Sequence, residues 1–182
     1  TSTNKTLPSF QRIELISSEQ NPKFKIWSSL LLTKGRRKEK LFILSGEKVI
    51  QDFLASEGFK TYTINCVLLP NNEEFFNQNP ILEKLNQKVS FFRLEETLIK
   101  QLDIVGTHNI LLVLEYKEIE EMTLPLSPTG LEVVCPVGDP NNLGAIIRSA
   151  LAFGVNKIIL TKNSADPFNQ KTIKASSGAV LN

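Results

Sequence analysis

The sequence predicts an α/β protein, and three observations carry that expectation. Strand-like and helix-like segments alternate up to Tyr116, a Pro-containing polar stretch interrupts them, and the same rhythm restarts at Leu131. Strands that alternate with helices form a sheet covered on both faces, because each connecting helix has an apolar stripe to bury. The expectation is an N-terminal α/β/α sandwich followed by a smaller α/β unit, which a length of 182 residues accommodates.

Each element has its own signal. "RIELIS" alternates apolar and polar residues as a strand does. "NPKFKIWSSLLLTKG" places Phe24, Trp27, Leu30 and Leu31 at helical spacing, with Pro22 suited to a first turn and Gly35 to a stop. "KLFILSG" reads as a strand, and "EKVIQDFLAS" as a helix with Val49, Ile50, Phe53 and Leu54 on one face. "TYTINCVLL", "VSFFRL" and "NILLVLEY" are further strands, with helices "NPILEKLNQ" and "EETLIKQL" among them. Glu73/Glu74 and Glu95/Glu96 stand where helices should start, which the helix dipole explains.

Past Tyr116, "KEIEEMTLPLSPTG" is acidic and then rich in Pro, Ser, Thr and Gly, with Pro125 and Pro128 blocking regular structure. The chain therefore divides into a first domain at 1–117, a linker at 118–130 and a second unit at 131–182. That unit has strand "LEVVCPV", helix "LGAIIRSALAFG", strand "NKIILT", loop "KNSADPFN" and helix "QKTIKASSGAV". Two strands and two helices leave edges unpaired, and about 50 residues is near the lower limit for an independent core. The second unit is expected to be incomplete.

Composition narrows the function classes. The 41% hydrophobic content is ample for a core, and a net charge of +2 does not mark a nucleic-acid binder. The charges are uneven, with "KGRRKEK" at 34–40 forming a local basic run whose first reading, taken without context, is a solvated helix end and loop. Cys66 and Cys135 lie in apolar runs without neighbouring ligand residues, so buried thiols in a reducing cytoplasm are expected, and no metal. No apolar run reaches the ~18 residues of a membrane span, so no membrane partner is expected. The polar start "TSTNKTLPSF" is not a signal peptide, and a first residue other than Met implies that the gene begins upstream. Glycine-rich phosphate loops are missing, and His108, the one histidine, reads as a polar loop residue.

The most informative stretch is "GDPNNLGAIIRSALAFGV". A buried strand runs into a tight turn and then a helix whose stripe is Leu143, Ile146, Ile147, Ala150 and Leu151. Asp139 and Asn142 are alternative N-caps. Arg148 lies off the stripe, one turn above Gly144 and flanked by Ala145 and Ala152. A strand end followed by a helix N-terminus suits an anion, and the small residues allow close approach of a nucleotide. The same residues also fit a capped helix with a packing gap and a solvated arginine.

"DPNNLGAIIRSALAFGV", "KIIL" and "SADPFNQKTIKASSGA" together resemble the SpoU/TrmH branch of the SPOUT RNA methyltransferases. Asn142, Gly144 and Arg148 match the family's first motif at its spacing, whereas Lys174 stands where the family usually has Arg. "SSEQNPKFKIWSSL", "KGRRKEKLFILSGEKVI" and "GTHNILLVLEY" look like the family's N-terminal substrate-binding domain, itself similar to a ribosomal-protein sandwich.

The resemblance implies methyl transfer from S-adenosylmethionine to a ribose 2′-hydroxyl of ribosomal or transfer RNA. Arg148 would be catalytic, with Asn142 orienting it. Gly144, Ser176 and Gly178 would face the cofactor, whose main pocket is expected downstream of Asn182 with the rest of the trefoil-knot domain. Lys34, Arg36, Arg37 and Lys38 would contact RNA phosphates, and the family leaves an RNA contact open for His108. The intact protein would be a cytoplasmic homodimer, with this chain alone inactive. The alternative is a non-catalytic RNA-binding module that lacks the cofactor site.

Overall fold

In the computed structural model of the chain, the described residues are 7–85, 89–123 and 127–182. The polar start at 1–6, Asn86 and Gln87 at the end of one expected helix, and Pro125 in the expected linker lie outside them.

A short 3-10 turn at Phe10–Arg12 precedes β1 (Glu14–Ile16), α1 (Pro22–Ser29), α2 (Thr33–Glu39), β2 (Leu41–Ser45), α3 (Glu47–Ala55) and α4 (Gly58–Thr61). Next come β3 (Ile64–Pro70), α5 (Glu73–Gln78), α6 (Pro80–Lys84), β4 (Ser90–Leu94), α7 (Glu96–Leu102) and β5 (Leu111–Glu115). The second part contains β6 (Glu132–Cys135), α8 (Pro140–Ala152), β7 (Lys157–Leu160), α9 (Gln170–Ala175) and a 3-10 turn at Ala179–Leu181.

The first sheet has the order β1-β4-β3-β5-β2. β4 runs parallel to β1 and β3, while β5 is antiparallel to β3 and β2. Helices cover both faces, as expected. Phe42, Leu44, Val67, Leu69, Leu112 and Leu114 point to a core shared with α3, α5 and α6. Ile43, Cys66, Leu68, Leu111 and Val113 point to the opposite core, built with α1 and α7. Burial raises the Cys66 thiol to about 12, outweighing a hydrogen bond with Trp27. Both cysteines are free and buried.

The helix expected over 21–35 is two helices. α1 stops at Ser29, the chain turns through Leu32 at φ −107° and ψ 144°, and α2 begins at Thr33. Gly35 is therefore not a stop. It lies inside α2 against the end of α1, where a Cβ would come 1.9 Å from the Ser29 carbonyl oxygen. α2 ends on Lys40, whose left-handed φ of 56° fits the residue after a helix.

In the second part, β6 and β7 pair in parallel and α8 packs beside them through Leu143 and Ile147. Leu151, expected on the buried stripe, is instead 54% exposed, next to Phe153 at 80%. The two sheets are separate, but their cores are not. Phe168, Ile173 and Leu181 lie in the same cluster as Phe42, Ile50 and Phe53. The Phe168 ring sits 4.8 Å from Phe42 and 4.6 Å from Tyr116.

Candidate active site

The corner that leads into α8 is built by local hydrogen bonds. β6 ends at Cys135, whose carbonyl accepts from Ser164 Oγ at 2.6 Å, and Val137 O accepts from Ala165 N at 2.9 Å. Asp139 is the N-cap, its Oδ1 accepting from Asn142 N at 2.8 Å, and Pro140 occupies the first turn. This settles the choice between the two caps. Asn142 is an exposed first-turn residue whose side chain makes no hydrogen bond among the described residues.

Burial of Leu143, Gly144, Ile147 and Ala150 fixes the rotation of the 13-residue α8 and turns Arg148 outward. Arg148 is exposed and has no hydrogen bond or ion pair among the described residues, so its planar fork of donors is open to an anion. Asn142 and Arg148 share the helix but do not bond to each other, so no contact here orients one through the other.

Gly144 serves a different purpose from the expected one. A Cβ there would lie 2.5 Å from Thr172 O, 2.6 Å from Ala175 Cβ and 2.9 Å from Ser176 N, so α9 fills the space expected for a nucleotide or cofactor. Ser176 is 1% exposed, and its hydroxyl donates to Ile173 O at 2.9 Å and accepts from Val180 N at 3.4 Å. Gly178 is buried at φ +80°, and its N–H donates to Ile173 O at 3.0 Å, closing α9. Gly144 and Ser176 lie in the α8–α9 contact, and Gly178 closes α9 with Val49 of α3 beside it. All three are buried and present no exposed side chain to a cofactor.

The basic run divides by direction. Lys34, Arg37 and Lys38 are exposed on α2, with Lys38 paired to Glu39 at 2.9 Å and Arg37 hydrogen-bonded to Tyr116. Arg36, expected on RNA phosphates, is 2% exposed. Its Nε and Nη2 reach Asp166 Oδ2 at 2.9 and 2.8 Å, Nη1 donates to Leu30 O at 2.8 Å, and Nη2 to Thr33 Oγ1 at 3.0 Å. With its fork engaged inside the protein it cannot bind phosphate. Neighbouring helical residues point 100° apart, so the phase that buries Arg36 leaves Arg37 exposed.

The sequence reading gave no role to Gln170 and noted Lys174 only as a departure from the family's Arg, and both complete the clamp between the two parts. Gln170 Nε2 donates to Leu102 O at 2.8 Å, Ser45 Oγ donates to Gln170 Oε1 at 3.1 Å, and Lys174 Nζ donates to Val105 O at 3.1 Å. The "SADPFNQ" stretch was the available signal, since a loop holding Asp, Phe and Gln in sequence has groups to bury. No group of three metal-ligating side chains occurs among the described residues. No helix there is long and apolar enough to cross a membrane.

A five-stranded sheet covered on both faces is thus followed by a β-α-β corner with an outward arginine. Residues 131–182 match the model of the SpoU rRNA Methylase family. Over 176 residues the chain is 35% identical to a ribosomal RNA small subunit methyltransferase G 2 of Syntrophobacter fumaroxidans, covering 94% of this chain and 32% of the relative. It is 26% identical over 164 residues to the 23S rRNA (guanosine(2553)-2'-O)-methyltransferase RlmP of Bacillus subtilis, covering 90% and 61%. The fold matches the SpoU methyltransferase AviRb of Streptomyces viridochromogenes in complex with AdoMet, at a TM-score of 0.69 and 23% identity, covering 90% of this chain and 61% of that one. The chain thus spans from about a third to three fifths of the length of the proteins it matches.

Proposed function

We propose that the protein belongs to an RNA 2′-O-ribose methylation enzyme, with 1–117 holding structured ribosomal RNA and 131–182 supplying the front of the catalytic domain. The observation that carries this reading is Arg148, an exposed guanidinium without a hydrogen bond or ion pair among the described residues, on α8 within the segment that matches the SpoU model. S-adenosylmethionine is the methyl donor in this reading, supported by the AdoMet named with a matched structure. The reading includes a homodimer, supported by the exposed Leu151 and Phe153 at the end of α8, and a cytoplasmic location.

Arg148 acts as an electrostatic group. A guanidinium stays protonated, so it is a poor base, but its fork can hold a phosphate and stabilise negative charge developing on the adjacent 2′-oxygen. The protein otherwise contributes alignment, since in-line transfer needs donor and oxygen held in one geometry. Arg148→Lys keeps the charge and loses the fork. In the full-length enzyme kcat should fall by about 10²-fold or more while RNA affinity changes little, measured by methyl incorporation and filter binding. Unchanged turnover would remove Arg148 from the mechanism.

Lys34, Arg37 and Lys38 supply the sequence-independent part of RNA binding in this reading. Replacing all three with Gln should flatten the slope of log affinity against log salt by about 2 to 3. Adding Arg36→Gln should lower stability without further change in slope, because that side chain is already inside the fold. An unaltered slope in the triple variant would relocate the phosphate contacts.

A further inference from the structure

A cavity of about 380 Å³ lies apart from the α8 corner, at the carboxyl ends of β3 and β4. Its walls are the segment leaving β3, from Pro70 to Phe75, the segment leaving β4, from Glu95 to Asp103, and the loop with His108. The two segments diverge. α5 and α6 bury Phe76, Ile81 and Leu82 on one face of the sheet, whereas α7 buries Leu98, Ile99 and Leu102 on the other. Neighbouring parallel strands whose connections leave to opposite faces open a crevice, the position where α/β sheets hold ligands.

Asp103 says what kind of ligand fits. It lines the cavity and is 8% exposed. Its Oδ2 accepts from Thr107 N at 2.6 Å, Thr107 Oγ1 at 2.9 Å and His108 N at 2.8 Å. Its Oδ1 is buried and has no hydrogen-bond partner among the described residues. A carboxylate only accepts, and a buried acceptor without a donor is destabilising until a ligand provides one. Glu95 adds a second carboxylate, with one oxygen accepting from Asn71 Nδ2 at 3.0 Å, while Glu96 is neutralised by Lys100. The lining is therefore acidic on balance, which repels phosphate and favours a donor-rich edge. Phe75 and Ile99 offer apolar surface for a flat ring.

We propose that this cavity receives an unpaired guanine of the RNA. Among the bases guanine presents two adjacent donors on its Watson–Crick edge, N1–H and the 2-amino group, whereas adenine presents a donor beside an acceptor. Asp103 and Glu95 accept from those donors while the ring lies against Phe75. The held base is tied to the α8 corner through α9, which donates to Leu102 O at the end of α7 and to Val105 O on the loop after it, and packs against Gly144.

The inference rests on the reading of the chain as RNA-binding, and the experiment separates the two. The full chain is titrated by fluorescence anisotropy with short uridine-rich RNAs that carry one central guanosine, inosine or adenosine. Guanosine should bind about tenfold or more tightly than adenosine, with inosine, which lacks the 2-amino group, in between. Asp103→Asn can keep its oxygen on the Thr107 and His108 donors but places an amide NH₂ where Oδ1 stood, so the guanosine preference should vanish with the salt slope unchanged. If that variant does not fold, Glu95→Gln and the wild-type base series decide. Equal affinity for guanosine and adenosine overturns the inference and leaves the RNA-binding reading intact, as does guanosine preference that survives Asp103→Asn. Should no RNA bind while free guanosine still shifts the amide resonances of residues 103–109, the cavity assignment stands and the RNA-binding reading falls.

Discussion

Replacing Arg36 with alanine should destabilise the folded chain by about 3–5 kcal/mol, the range for stripping one partner from a buried ion pair. The side chains of Arg36 and Asp166 are 3% and 4% exposed. Loss of the guanidinium would strand the Asp166 carboxylate, which among the described residues keeps only the Phe168 N–H on Oδ1 at 2.9 Å, and would leave Leu30 O and Thr33 Oγ1 without their Arg36 donor. Urea unfolding monitored by circular dichroism reads the effect as a fall in midpoint at constant slope. Arg36→Lys should recover only part of the loss, because an ammonium cannot reach three acceptors from one plane. The double variant Arg36→Met, Asp166→Asn should be less damaged than Arg36→Ala, since it removes the stranded charge. A midpoint for Arg36→Ala equal to that of the wild type would mean that the pair is not buried in solution.

Gly144→Ala should also destabilise, against the direction that helix propensity sets. In an exposed helix interior the change would stabilise by about 1 kcal/mol. Here the new Cβ would meet a carbonyl oxygen and an amide nitrogen of α9 at 2.5 and 2.9 Å, backbone atoms that cannot swing aside. Forcing extra carbon into a packed contact costs about 1–3 kcal/mol, and separating the helices adds to it, so the packing term wins. Gly144→Val should be worse, with amide protection lost first in residues 170–181. Because Arg148 stands one turn along the same helix, the methylation proposed for the full-length protein should fall with it. A more stable Gly144→Ala variant would show that α8 and α9 are not in contact.

Much of the fold was legible because its strands are short continuous apolar runs between polar turns. All five strands of the first sheet lie where the pattern puts them. The direction of β5 was not legible, since a run whose residues 111–114 are 0% exposed has the same composition whichever way it pairs. The break between α1 and α2 escaped for a similar reason. Gly35 is needed by a close approach to Ser29, and spacing alone cannot tell a close approach from a helix stop.

The candidate site was half legible. Arg148 could be placed off the apolar stripe from helical phase alone, and the structure leaves it exposed. Arg36 could not be told from its neighbours, because its partner is 130 residues away in sequence. Asp103 drew no attention as one acid in a polar loop, and only the three-dimensional count of its donors singles it out.

The seating of Phe168, Ile173 and Leu181 beside Phe42 and Ile50 bears on how this molecule comes apart. A protease that nicks the exposed backbone at 118–121 would cut the covalent tether without releasing either piece, because the greasy plug near the C-terminus stays lodged in its socket. The fragments would travel as one particle through a sizing column and part only in denaturant. A fragment ending at Tyr116 would therefore bare an oily socket to water and tend to clump.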